Sequence, residues 1–198
     1  MVPFKYRLPA LVAFVSAGFL AASACGSPTS STGGGDTGAQ ATAGAEAANG
    51  EAIPVPYTDA RFHYRIDAPG RMSANADGSA AYVGPSERLD IRIVSGAGAS
   101  DPNGLATQDI KSLADSAASF HQLTNPAKLT LAGNKVTRFA YTWIAGTSPV
   151  TGKAIELTSV RYYVVKDSSM LAVITYGIVS NQFDPQGADD IVSTFQWQ

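Results

Sequence analysis

Short segments of the chain from Ile53 onward alternate apolar and polar residues, which is the pattern of half-buried β-strands. Two such segments come early, at residues 61–66 and 88–93, and a short strand is predicted between them at 80–83, bounded by turns. The segment at 88–93 has one apolar face and one charged face. Because the charged face is expected to be exposed to solvent, we expect its sheet to be antiparallel or mixed, since purely parallel sheets are usually covered on both faces.

Apolar residues then recur at helical spacing over residues 105–120, with polar residues largely on the other side. This pattern predicts an amphipathic helix that covers one face of the sheet and ends before the Asn-Pro pair at 125–126. A second, short helix is predicted to begin at Pro185, because Asp184 is a suitable N-cap and proline fits the first helical position. A brief strand is expected at 195–197.

Three longer segments, at 136–144, 155–165 and 170–178, are rich in Val, Ile, Thr, Tyr and Trp. Their connections are short enough to be hairpins, so these strands should run antiparallel in sequence order. Residues 128–131 are predicted to pair ahead of them through a turn at 133–134. The pattern therefore predicts an α+β fold with a central antiparallel sheet of about 6–8 strands flanked by helices.

The N-terminal segment has a different character. Lys5 and Arg7 precede an apolar run at 8–22, and the chain's one cysteine, Cys25, follows directly after small residues. This is the organisation of an export signal. The sequence Ala-Ser-Ala-Cys-Gly at 22–26 resembles a bacterial lipobox, in which diacylglycerol is attached to the cysteine sulfur. The resemblance implies cleavage between Ala24 and Cys25 and lipid attachment at Cys25.

Two other interpretations of this segment stay open. The apolar run could be an uncleaved membrane helix, although its 15 residues include Pro9 and Gly18 and a span needs about 20. It could also be an ordinary signal peptide that leaves Cys25 as a free thiol. The position of the single cysteine at the cleavage point favours the lipid anchor. We therefore predict a signal peptide at 1–24.

Residues 26–52 contain Gly, Ser, Thr, Ala, Pro, Asn, Gln and three acidic residues, with no aliphatic side chain larger than alanine. Such a composition cannot bury enough surface to fold. As a flexible chain, this stretch would have a root-mean-square reach of about 30 Å. The sequence thus predicts a lipidated cysteine and tether at 25–52, followed by one domain at 53–198, a typical single-domain size.

The charge balance argues against a nucleic-acid partner. The whole chain has 14 basic and 16 acidic residues, and removal of the signal peptide leaves 12 basic residues. A nucleic-acid or anionic-lipid surface would need a concentration of basic residues. Attachment to the membrane is therefore expected through the acyl chains, since two or more chains give stable anchoring.

Candidate catalytic and metal-binding residues are few. The two histidines are His63, expected on the polar face of the first strand, and His121, expected at the end of the first helix. They do not have a metal-ligand spacing, and the chain has neither a Gly-x-Ser-x-Gly elbow nor a phosphate-binding loop. The sequence therefore predicts no catalytic residues, no metal and no cofactor.

Two further groups of residues have alternative explanations. The acidic residues near Asp101 and Asp184 could bind calcium, but helix capping explains them and the calcium-loop pattern is missing. The aromatic residues of the later strands could form an exposed patch for a glycan, lipid or protein, but core packing also explains them. These residues are Tyr141, Trp143, Tyr162, Tyr163, Tyr176 and Trp197.

Two segments resemble the PsbP-like domain. Residues 62–69 look like the family's first strand running into a proline turn, and residues 189–197 look like its acidic helix that leads into Ile-x-x-Ser/Thr-Phe-x-aromatic. Actinobacterial lipoproteins of the LpqN type combine a lipobox, a polar tether and such a domain. The resemblance covers about residues 58–198. It implies an α/β/α sandwich, an accessory or scaffolding role, and no shared catalytic motif.

These observations predict a non-enzymatic lipoprotein, anchored to the cell membrane and facing the extracytoplasmic side, that binds an envelope protein partner. A carrier of a small apolar molecule or lipid, with a cleft between sheet and helix, is the main alternative. An envelope hydrolase is a weaker one.

Overall fold

The computed structural model describes residues 53–198. The predicted signal peptide at 1–24 and the lipidated cysteine and tether at 25–52 lie outside the described residues, and they stay predictions. In chain order the strands are β1 (Val55–Asp59), β2 (Tyr64–Ala68), β3 (Ser73–Ala74), β4 (Ala80–Val83), β5 (Glu87–Ser95), β6 (His121–Gln122), β7 (Ala127–Leu131), β8 (Asn134–Thr147), β9 (Ala154–Asp167), β10 (Met170–Val179) and β11 (Gln196–Trp197). The α-helices are α1 (Pro102–Ser116), between β5 and β6, and α2 (Pro185–Ser193), between β10 and β11.

Within residues 53–198, eight strands form one sheet in the spatial order β3-β4-β5-β10-β9-β8-β6, and β7 pairs with another part of β8. All pairings in this sheet are antiparallel. The predicted α+β fold with a central antiparallel sheet is therefore confirmed. The three long strands β8, β9 and β10 are adjacent and follow the predicted hairpin order.

Two hydrophobic cores lie on opposite faces of this sheet. The first core includes Ile174 of the sheet, Val192 of α2 and Phe195 just after α2. The second core includes Phe139 and Tyr163 of the sheet, packed beneath α1. Strands β1, β2 and β11 form a separate antiparallel sheet that contributes to the first core. The layer on that side is thus α2 together with a small sheet, rather than helix alone.

Aspartate side chains begin both helices. The carboxylate of Asp101 accepts a hydrogen bond from the backbone N–H of Gly104, at 2.9 Å. The carboxylate of Asp184 accepts from the backbone N–H groups of Gln186 and Gly187, at 3.0 and 3.1 Å. Each helix also has proline at its start, so the capping interpretation of both acidic groups is confirmed.

The first predicted strand begins later than expected. Residues 61–63 form a turn, because the Asp59 side chain accepts hydrogen bonds from the backbone N–H groups of Arg61 and Phe62. His63 has a positive φ of 55° within this turn, so its predicted position on a strand face was wrong. The sequence analysis also missed β1. Its proline, Pro56, is accommodated because β1 is an edge strand.

The first helix ends earlier than expected. It stops at Ser116, and Ala117 is already extended, with ψ of 130°. Phe120 nevertheless packs against the second core, which explains why it continued the apolar periodicity. His121 lies in β6 opposite Thr142 of β8, so its predicted place at a helix end was also wrong.

Candidate functional site

The predicted site residues, Ala24 and Cys25, lie outside the described residues. The histidines are separate: His63 lies in the β1–β2 turn, and the exposed His121 lies in β6. In the described part of the chain, no group of three or more His, Cys, Asp or Glu side chains could hold a metal ion. Between residues 53 and 198, no helix has the length and apolar character required to cross a membrane.

A buried polar network fixes α1 on the sheet. One carboxylate oxygen of Asp109 accepts hydrogen bonds from the hydroxyl of Tyr163 at 2.7 Å, from Arg92 at 2.9 Å and from Arg161 at 3.0 Å. Burial and the nearby Asp109 charge raise the pKa of Tyr163, so this phenol stays protonated as a donor. The network therefore sets the position of α1 relative to β5 and β9.

A second network holds α2 on the opposite face. The hydroxyl of Tyr162 donates to Asp189 of α2 at 2.8 Å, and Arg138 of β8 forms an ion pair with the same carboxylate. Burial and this hydrogen bond raise the pKa of Tyr162. Both helices are thus attached to the sheet by a tyrosine, an aspartate and at least one arginine.

With α1 fixed, a groove remains between the start of this helix and the strands beside it. Its volume is about 390 Å³, within the range of about 300–1,000 Å³ usual for ligand sites. We call it the lysine groove. Residues that line it include Pro102 of α1, Lys128 and Thr130 of β7, Lys135 and Thr137 of β8, and Val165 of β9.

The two lysines give this groove its charge. Lys128 and Lys135 are exposed, and neither takes part in an ion pair within the described residues. Asp101, which precedes the groove residue Pro102, accepts a hydrogen bond from Gly104 as the N-cap of α1. The groove therefore combines apolar walls with two lysines that form no ion pair within the described residues, and it suits a ligand that carries negative charge.

The groove lies along the edge of the sheet. Strand β7 pairs with β8, and no further strand of the described region pairs with its other side. Positive φ values at Ala132 and Gly133, of 47° and 85°, indicate a two-residue hairpin turn between these strands. In such a hairpin Leu131 and Asn134 form the hydrogen-bonded pair next to the turn. Along the strands, hydrogen-bonded pairs then alternate with pairs whose backbone groups do not bond to each other.

It follows that the backbone groups of Leu129 and Leu131 bond to β8, whereas those of Lys128 and Thr130 point away from the sheet. The side chains divide in the same way. Leu129 and Leu131 pack against the first core, whereas Lys128 and Thr130 lie on the opposite face and line the lysine groove, which Leu129 also borders. One strand thus presents unpaired backbone donors and acceptors beside positively charged side chains.

The sequence analysis predicted the β7–β8 hairpin but missed the groove. The signal was present as alternation of Lys and Thr with Leu and Val over 128–137, which gives the hairpin one apolar face and one cationic polar face. The cavity itself could not be seen, because it depends on where α1 begins relative to β7.

The aromatic residues mainly serve the cores. Tyr162 and Tyr163 point to opposite faces of the sheet, as strand alternation predicted. Tyr141 is 2% exposed and Tyr176 is 6% exposed. Trp143 remains partly exposed, where Arg88 lies 5.7 Å from its ring centroid. The core-packing interpretation is confirmed for the buried tyrosines.

No family model and no curated protein matches this chain. Among solved structures, it is similar to the Ran-binding protein Mog1p from Saccharomyces cerevisiae, with a TM-score of 0.50, 11% identity, and coverage of 73% of this chain and 95% of that one. A protein from Bacteroides thetaiotaomicron gives a TM-score of 0.49 and 9% identity over 74% of this chain. The match spans 49% of the Bacteroides protein, about half its length. A protein of unknown function from Pseudomonas aeruginosa gives a TM-score of 0.41 and 9% identity, covering 65% of this chain and 84% of that one. The likeness to Mog1p concerns the fold alone.

Proposed function

We propose that this protein is a lipid-anchored, extracytoplasmic binding module that captures an envelope protein partner. The observation that carries this proposal is the unpaired edge of β7 beside the lysine groove. An edge strand with unsatisfied backbone groups is a template for another chain. The groove adds charged and apolar side chains that could select which chain binds.

The anchor part of the proposal rests on the lipobox-like sequence around Cys25. In this proposal a diacylglycerol group on the cysteine sulfur holds the mature N-terminus at the membrane. Residues 26–52 then allow the PsbP-like domain to work at about 30 Å from the surface. Neither a cofactor nor nucleic acid forms part of this function, and the module performs no catalysis.

Metabolic labelling with an alkyne fatty acid tests the anchor. The wild-type chain should take up label and fractionate with membranes, whereas Cys25→Ser should do neither. If the wild-type protein took up no label, or if the variant were labelled equally, the anchor would be rejected.

Photo-crosslinking in intact membranes tests the protein partner. A photoreactive residue in place of Lys128 should give one dominant protein adduct, while the same residue in place of the exposed Lys111 on α1 should not. Repeated recovery of lipid adducts alone, or equal adducts from both positions, would reject the proposal.

The volume of the lysine groove supports a second candidate function, a carrier of a small amphipathic anion. In that case native mass spectrometry of the chain taken gently from membranes should show a bound small molecule. That molecule should be lost when both Lys128 and Lys135 are changed to Glu. A domain that is always empty would count against the carrier.

A further inference from the structure

The direction of the backbone groups in β7 defines what sort of partner segment would fit. We propose that the partner contributes an extended, acidic segment that adds to the eight-stranded sheet as a new strand beside β7. This inference rests on the proposed function and specifies its binding mode. It draws on the outward backbone of Lys128 and Thr130, on the charge of the groove, and on the length of the strand.

The backbone requires an extended occupant. Lys128 and Thr130 each present an N–H and a C=O group away from β8, and they lie two residues apart in the same strand. A strand laid alongside would repeat this two-residue spacing and could satisfy all four groups. A helix cannot do so, because its own backbone groups are already bonded internally.

The length of β7 limits the segment. The strand has five residues, which corresponds to about 17 Å of extended chain. Beyond its N-terminal end the chain turns through residues 123–126, and beyond its C-terminal end lies the hairpin turn at Ala132. The inserted strand should therefore pair over about five residues.

The side chains select acidic residues. On the groove face of the sheet, Lys128 and Lys135 have no ion pair within residues 53–198. Alternate side chains of an added strand would point to this face, where Glu or Asp would meet the lysines. The side chains between them would lie on the other face, beside Leu129 and Leu131. The preferred segment alternates acidic with β-branched residues.

The same lysines disfavour a second copy of this protein. If two β7 strands paired antiparallel, the lysines of each copy would be brought close to those of the other, and like charges across a strand pair are destabilising. Lysine on an edge strand is a known protection against such self-pairing. A negatively charged partner segment would be attracted by the same lysines that repel a second copy.

A synthetic peptide provides a direct test on the purified full-length chain in detergent. The probe is a fluorescent nine-residue peptide that alternates Glu with Val or Thr, and its control has Lys in place of each Glu. We expect saturable binding of the acidic peptide, weakened by added salt, and no binding of the basic peptide.

Charge reversal supplies matched variants. The double variant K128E/K135E should weaken acidic-peptide binding by about tenfold or more, equivalent to about 1.4 kcal/mol. The double variant K111E/K153E changes the same charge at two exposed lysines outside the groove and should bind like the wild type. Equal weakening by both pairs would show general electrostatic attraction and would overturn the inference.

Two measurements test strand addition itself. Hydrogen exchange followed by NMR should show that the peptide slows exchange of the Lys128 and Thr130 amides, which point outward in the free protein. The Thr130→Pro variant removes one outward N–H but no bond to β8, so it should fold and bind the peptide more weakly. Binding with no protection at these amides, or no binding of the acidic peptide, would overturn the inference.

Crosslinking separates this inference from the function on which it rests. For these variants the photoreactive residue is placed at the exposed Ala127 of β7. If a protein partner is still captured in membranes from K128E/K135E and from Thr130→Pro, strand addition is wrong while the binding function stands. If no protein is captured from the wild-type chain, the proposed function itself fails.

Discussion

Replacement of Asp109 by alanine should loosen α1 and lower the free energy of unfolding by several kcal/mol. One oxygen of this carboxylate receives the Tyr163 hydroxyl and two guanidinium groups. Tyr163 is fully buried, and the side chain of Arg161 is only 17% exposed. Alanine would leave both donors without their acceptor.

The magnitude can be assembled from these contacts. A buried hydroxyl that loses a charged acceptor costs about 1.5–3 kcal/mol. Loss of one partner of a buried ion pair costs about 3–5 kcal/mol. The cost at Arg161 is smaller, because the guanidinium still donates to Thr175 and lies 5.9 Å from the Tyr141 ring centroid. Arg92 is half exposed and contributes under about 1 kcal/mol. The total should be about 3 kcal/mol.

Urea unfolding measures this loss. Tryptophan fluorescence suits the assay, because Trp143 packs against the second core and Trp197 against the first. With a urea slope of about 2 kcal/mol per molar, the midpoint should fall by about 1.5 M. Asp109→Asn keeps an acceptor for Tyr163 and should lose about half as much.

Asp115→Ala is the matched control. It lies on the same helix, is exposed, and takes part in no ion pair within residues 53–198. Its effect should stay within about 0.5 kcal/mol. If Asp109→Ala cost less than about 1 kcal/mol, or no more than Asp115→Ala, the network would not hold α1 as described.

Three other predictions concern packing, pH and capping. Gly177→Ala should lower the free energy of unfolding by about 1–3 kcal/mol, and with it the thermal midpoint, because the new Cβ would lie 2.7 Å from the Ser159 hydroxyl. Adding Ser159→Gly should recover part of this loss. Since burial raises the pKa of Tyr163, its contribution to stability is complete below about pH 10, the unfolded value, and declines as pH rises towards the folded pKa. Urea midpoints at about pH 8 and about pH 11 should therefore differ less in Tyr163→Phe than in the wild type. Asp184→Ala removes the acceptor for the Gln186 N–H and should cost about 1 kcal/mol in chemical unfolding, whereas Asp184→Asn should cost less.

Local patterns in the sequence were sufficient for most of the large sheet. The long segments that became β8, β9 and β10 have strong β propensity and short hairpin connections, so their order and direction followed directly. The start of α2 was equally predictable, since Asp184 caps the first turn of the helix and Pro185 occupies its first position. These elements depend on neighbours close in the chain.

Other elements depend on distant residues and could not be predicted in the same way. The small sheet pairs β2 with β11, so Tyr64 lies opposite Trp197, more than a hundred residues away. The register of such a pair is fixed by tertiary packing. The lysine groove has the same origin, because it appears only when Asp109 and its partners place α1 against the sheet. Its residues were recognisable as one polar face, but their enclosure was not.

Two consecutive residues of β9 anchor the layers on either side of the sheet, Tyr162 through Asp189 and Tyr163 through Asp109. A backbone shift at this one point would disturb both attachments together, because neighbouring strand residues cannot move independently. The two outer layers should consequently melt in a single transition, and a force that distorts the middle of β9 should release both helices at once.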